Sequence, residues 1–212
     1  MVDILEFLQS RRSIRKFQNI PIPEDVVNLL LEAGRLAPSR ANSQPWKFIV
    51  VTNPKLKKQL SIASYNQRVV VEASLLIVVL GIIDPRSTIP DRTTELVQAG
   101  CFDEDVKEGA DHILDDWTFS ELKVDAALNS AIAATHIMLA AHGLGLGSCW
   151  VKLLDDQSVL KVLEVPEGFY HTGILAIGYP AESPQARPRL PLNSMVYYEK
   201  FGQHQNKTEK GH

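Results

Sequence analysis

Apolar residues recur along this chain at two spacings, one helical and one extended. Ile4, Leu5 and Leu8 give residues 2–11 the spacing of a short helix. The chain then reads as extended to Ile22, which puts Ser13 and Arg15 on one face. Pro23 suits a first helical turn, and Glu24 and Asp25 sit at the positive end of that helix. Val26, Leu29, Leu30, Ala33 and Ala37 form its apolar stripe, and Pro38 ends it. Trp46–Val51 predicts a strand. Asn53 before Pro54 predicts an N-cap for a helix running to about Ser64. Tyr65–Arg68 is a polar turn. A short helix then leads into Leu75–Leu80, whose unbroken apolar run predicts a strand buried on both faces.

Residues 84–120 break this pattern. Charged residues dominate there, with Phe102, Trp117 and Phe119 interspersed, which fits either a lid over a pocket or a plain surface excursion. Glu121–His142 holds seven alanines and is apolar almost all round from Ala126 onward. Such a helix lies at the centre of a fold or in a subunit interface. His136 and His142 are six apart and share no helical face, which favours packing or capping over metal ligation. Gly143–Ser148 follows a helix, so its glycines read as a C-cap and turn, not as a dinucleotide fingerprint. Cys149–Val151 starts a strand, Asp155 and Asp156 open a helix ending near Val165, and Gly173–Gly178 is another strand. Pro180, Pro184, Pro188 and Pro191 keep the C-terminal arm extended. Val196–Tyr198 predicts a final strand, and Gln203–His212 a disordered polar tail.

The chain has 212 residues, 45% hydrophobic, which suits one domain over residues 1–202. A net charge of −3 gives no overall footprint for nucleic acid. Cys101 and Cys149 form no CxxC pair, so neither a zinc site nor a disulfide framework is indicated. Asp3 and Glu6 interrupt any signal-peptide pattern, and the apolar stretches read as too short or broken for a membrane span. The expectation is a cytoplasmic protein. P-loop, Rossmann and GxSxG patterns are missing.

What remains is local chemistry. Arg11, Arg12, Ser13 and Arg15 stand near one end of the chain, and Arg187 and Arg189 near the other. Guanidinium forks match phosphate oxygens, and a hydroxyl adds a donor. Alone, the first cluster also fits a solvated basic turn. An arm without a core of its own must lie on something, and across the fold or on a partner subunit it would bring the two clusters to one compact dianion. Between the prolines of Pro38–Trp46, Ser39, Asn42 and Gln44 offer donors and acceptors, as Asn66 does further on. Those groups complement the polar edge of a heteroaromatic ring, although a capping loop uses the same residue types.

In their order, Arg11–Arg15, Pro38-Ser39-x-x-Asn42-x-Gln44-Pro45-Trp46, Gly145-x-Gly147-Ser148-Cys149-Trp150 and Arg187-x-Arg189-Leu190-Pro191 resemble the nitroreductase family of homodimeric FMN-dependent oxidoreductases. The resemblance implies an α+β fold, with a mostly antiparallel central sheet flanked by helices and a C-terminal arm wrapped over the partner. It implies that Arg11, Arg12, Ser13, Arg15, Arg187 and Arg189 hold the phosphate and ribityl end of FMN. It places Pro38, Ser39, Asn42 and Gln44 at the flavin of the other subunit, and Asn66 at the pyrimidine edge. Trp150, Val151 and Lys152 would run past the ring with a backbone N–H available to its N5. Residues 84–120 occupy the place of a substrate lid, making Trp117 and Phe119 substrate-side candidates. Where several members carry a lysine near the flavin, this chain has Val69. The expected activity is hydride transfer from NAD(P)H to a nitroaromatic, quinone or similar acceptor by ping-pong kinetics. Reductive dehalogenation on the same fold and non-catalytic flavin binding are the alternatives. No metal and no nucleic-acid or membrane partner is expected.

Overall fold

The computed structural model describes residues 3–203. Four strands, β1 (Trp46–Val51), β2 (Leu75–Ile82), β3 (Gly147–Val151) and β4 (Phe169–Gly178), form one antiparallel sheet in the order β1-β2-β4-β3. Eight helices accompany it in the described residues: α1 (Ile4–Ser10), α2 (Glu24–Arg35), α3 (Pro54–Ala63), α4 (Arg68–Glu72), α5 (Ile89–Gln98), α6 (Glu104–Asp111), α7 (Phe119–Gly143) and α8 (Asp156–Val162).

Strand alternation sorts the core into two layers. Leu75, Ile77 and Val79 of β2, with Leu175 and Ile177 of β4, face Leu30 of α2 and Ala134, Ile137 and Ala141 of α7. Leu76, Val78 and Leu80, with Ile174 and Ala176, face Leu60 and Ala63 of α3, Val69 and Val70 of α4, and Val159 of α8. Burial on both faces of β2 follows the unbroken apolar run, and each such aliphatic side chain stabilises the fold by about 1.5–3 kcal/mol.

Helix ends follow their caps. The Asp3 carboxylate accepts the amides of Leu5 and Glu6, and the Asn53 side chain accepts those of Lys55 and Leu56. α7 begins two residues before the predicted Glu121, because Thr118 and Glu121 form a reciprocal capping box. By length and composition alone its 25 residues could cross a membrane, a test that the core helix of a fold also passes. Here one face of α7 packs on the sheet, and Asp125 and Asn129 are buried along it.

One prediction for the periphery is corrected. Residues 84–120 form α5 and α6, and Ile89 and Leu114 of this segment pack with Ile83 and with Leu122 of α7 in a small satellite core. Val196–Tyr198 forms no strand. Its neighbourhood closes local turns instead, with Met195 N–H donating to Leu192 C=O and Tyr198 N–H to Gln203 C=O, and it meets no open sheet edge. Apart from Gln203, the predicted polar tail lies outside the described residues.

Candidate functional site

The N-terminal extended segment is stitched between the start of β3 and the exit of β4. Ile14 N–H donates to Ser148 C=O at 3.0 Å, Gln18 N–H to Tyr179 C=O at 2.9 Å, and Ala181 N–H to Lys16 C=O at 2.9 Å. A Cβ on Gly147 would lie 2.7 Å from the Ile14 Cβ, so glycine lets the segment approach this closely. The Glu182 Oε1 accepts the amides of Arg15 (2.6 Å) and Lys16 (3.2 Å), clamping the root of the C-terminal arm to the same segment.

This stitching brings both arginine clusters to one cavity of about 460 Å³. Arg11, Arg12, Ser13 and Arg15 line one side, Arg187 and Arg189 the other, and no carboxylate lines it. Among the described residues none of the five guanidiniums is in a salt bridge. Arg12 is turned back, donating to the carbonyls of Gln9 and Arg11 that α1 leaves open at its end. Arg15 Nη1 makes only a long bond to Ser13 C=O, 3.3 Å, and Arg189 Nη1 to Pro188 C=O, 3.4 Å. Burial pushes the nearby Cys149 thiol up, with Glu182 adding to the rise and Arg15, Arg187 and Arg11 opposing it. Like charges held together this way attract a multivalent anion.

A second group of predicted residues gathers at the other end of β3. Asn66 sits in a left-handed turn (φ 58°, beside Tyr65 at 53°). The Gln67 side-chain amide donates to Leu153 C=O at 2.6 Å and Asp155 N–H to Ala63 C=O at 2.8 Å, tying this turn to the exit of β3. Trp150 is half-buried with its Nε1 unpartnered, wedged against Gly173, where β4 carries a bulge. Val151 is buried in the core. The Lys152 ammonium is held by Asp156 Oδ1 (2.7 Å) and His171 C=O (2.8 Å), which leaves the backbone of Lys152, not its side chain, as the part available to a ring. Burial pushes the Asp156 carboxyl up, but hydrogen bonds from Lys152 and His171 outweigh it and hold it below its ordinary value. Burial pushes His171 down. Val69 belongs to α4 and is buried in the core.

The loop Pro38–Gln44 does not line the arginine cavity of its own chain. It lies on α7 and beside α5. Three of its non-glycine residues take positive φ: Ala41 (45°), Asn42 (51°) and Gln44 (45°). Ser39 Oγ accepts Gln44 N–H at 2.9 Å, and the Gln44 amide donates to Asn42 Oδ1 at 3.2 Å. Such strain concentrates at functional loops.

Comparison with known proteins decides the affiliation: the Nitroreductase family model matches residues 8–179, most of the chain. The chain belongs to the nitroreductase family. It is 30% identical over 188 residues to a protein named NADH dehydrogenase from Thermus thermophilus, covering 89% of this chain and 92% of that one. The crystal structure of YdfN from Bacillus subtilis superposes with a TM-score of 0.84 at 25% identity, covering 92% of this chain and 98% of the other. A nitroreductase structure from Exiguobacterium sibiricum, solved in complex with FMN, has a TM-score of 0.83 at 24% identity, covering 94% and 98%.

In this member of the family Trp117 and Phe119 come together, lining a cavity of about 400 Å³ with Phe169, Asp84 and Arg86. Trp117 also walls a second groove of about 400 Å³ with Arg40, Asp125, Val124 and Leu128. Glu182, Arg40, Asp156 and His171 escaped the sequence reading. A signal for Glu182 was present, as the only acid between Pro180 and Tyr198. Asp125 and Asn129, one turn apart in an otherwise apolar helix, were another.

Proposed function

We propose that this nitroreductase is a homodimeric, FMN-dependent oxidoreductase that moves reducing equivalents from NAD(P)H to nitroaromatic, quinone or similar acceptors. The observation that carries the reading is the acid-free cavity where five arginines from the two ends of the chain converge. A phosphate monoester carries about −1.5 to −2 charges, which suits that donor set. FMN, when bound, supplies the hydride-accepting and hydride-donating centre that no side chain provides.

The residues then divide the work by position. Arg15, Arg187, Arg189 and Arg11 hold the phosphate end, with Ser13 adding a hydroxyl. Asn66 and the backbone of Trp150–Lys152 face the ring. Pro38, Ser39, Asn42 and Gln44 reach the partner's site. The dimer is supported by the outer face of α7, where Val124 (59% exposed), Leu128 (59%) and Ile132 (39%) repeat every fourth residue. The arm supports it too, because Leu190, Leu192 and Met195 are all exposed. With no second nucleotide motif in the chain, donor and acceptor take turns in one place. Double-reciprocal plots of initial rate against NADH, at several fixed concentrations of 1,4-benzoquinone, will be parallel. Intersecting lines would mean that both substrates bind together, and the single-site reading would be wrong.

A further inference from the structure

We propose that Arg40 is a positioning residue which locks the loop 38–44 and the lid segment carrying α5 and α6 into one register, and so sets which acceptors fit. The proposal rests on the reading above, that this loop borders the flavin.

Arg40 is tied down at both ends. Its backbone N–H donates to Asn129 Oδ1 at 3.0 Å, and its Nε donates to Asp125 Oδ1 at 2.8 Å. The Asn129 amide closes the ring by donating to Asp125 Oδ2 at 2.9 Å and to Asp125 C=O at 2.8 Å. Asp125 is 5% exposed and Asn129 4%, so the ring is anchored in the buried face of α7. A buried carboxylate needs such partners, and Arg40 is its cation. The guanidinium also lies over the Trp117 ring, 4.7 Å from its centre. Trp117 is the last residue of the lid before Thr118 caps α7. Ala41, which follows Arg40, packs against the satellite cluster of Ile83, Ile89, Leu114 and Leu122, to which the lid and α7 both contribute. Consecutive residues of one loop therefore grip α7 and the lid together. The positive φ values at Ala41, Asn42 and Gln44 persist only because their surroundings over-determine them, and the Arg40 ring supplies that constraint. A shift of the lid that moves Trp117 moves Arg40, and with it the side chains of Asn42 and Gln44. Other charge in the groove comes from Glu121, whose carboxylate is already held by Thr118 N–H and Oγ.

The test uses the FMN-loaded dimer and two acceptors, 1,4-benzoquinone and the bulkier 2-methyl-1,4-naphthoquinone, with NADH as donor. Removing only the arginine strands a buried carboxylate, so the principal variant is the double substitution Arg40→Met with Asp125→Asn. Trp117→Ala and Trp117→Phe accompany it. The double variant and Trp117→Ala should each change the ratio of the two acceptors' kcat/KM by about tenfold, mainly through KM. Trp117→Phe keeps a ring face and should restore the wild-type ratio. FMN affinity should change by less than the acceptor ratio does, because the phosphate cavity is untouched. A ratio unchanged in the double variant, with only the melting temperature lowered, overturns the proposal and leaves Arg40 a structural residue. Wild-type protein that takes up no flavin overturns the functional reading first, and this proposal with it.

Discussion

Gly173 offers a quantitative test of how the ring-facing end of β3 is built. Its φ is 155°, where a side chain strains the backbone by about 1–3 kcal/mol. An added Cβ would also lie 2.2 Å from Trp150 Nε1, 2.9 Å from its Cδ1 and 3.2 Å from Val151 C=O. A rigid indole and a strand backbone cannot yield cheaply, so overpacking adds roughly 1–3 kcal/mol. Gly173→Ala should therefore cost about 2–6 kcal/mol. Gly145 is the control, because its φ is 75° but nothing lies within 4 Å of its added Cβ. Gly145→Ala should cost only the backbone strain, about 1–2 kcal/mol. Urea denaturation by linear extrapolation measures both. The clash is isolated by repeating Gly173→Ala in a Trp150→Leu background, where its cost should fall by at least about 1 kcal/mol. Equal destabilisation at the two glycines, or no relief in that background, would refute the claim that Trp150 is wedged on Gly173.

Further outcomes can be checked together. Arg15→Ala and Arg189→Ala should each weaken FMN binding by about tenfold or more in a fluorescence titration, the loss of one charge-assisted hydrogen bond. Unchanged affinity in both would remove these residues from the phosphate site. Burial lowers the pKa of His171 from its ordinary 6.5, so below that pH the unfolded chain takes up a proton that the folded chain refuses. Stability should fall on acidification with a slope of up to roughly 1.4 kcal/mol per pH unit, and His171→Gln should flatten that slope in pH-dependent urea melts. Leu128→Glu puts a charge in the apolar stripe of α7 and should shift sedimentation from dimer toward monomer. Deleting residues from Pro184 onward should release both FMN and the partner, as gel filtration and absorbance would record.

Much of the frame could be read from apolar spacing. Leu75–Leu80 announces itself because a strand buried on two faces leaves no polar interruption, and Trp46–Val51 by its aromatic and β-branched residues. Helix starts at Pro54 and Asp156 are written in the residues that cap them. The meeting of Arg11–Arg15 with Arg187–Arg189 followed from an arm that has no core to bury. α5 and α6 were hidden because they are short and rich in polar and charged residues, and of the two only α5 gives a side chain, Ile89, to the satellite core. Val196–Tyr198 has strand-forming side chains, but pairing needs an open edge, and residue type carries no record of one. The Arg40–Asp125–Asn129 ring joins residues more than 80 positions apart, as does the Gln67 bond to Leu153, and local pattern holds no trace of such contacts.

The central claim is that the arginine cavity receives a phosphate. Equilibrium titration of the wild-type protein with FMN and with riboflavin, which differ only by that group, tests it most directly. Even two of these charge-assisted contacts predict that FMN binds at least about a hundredfold tighter than riboflavin, with the advantage shrinking as salt rises. Equal affinity for the two flavins, at any salt concentration, would contradict the account.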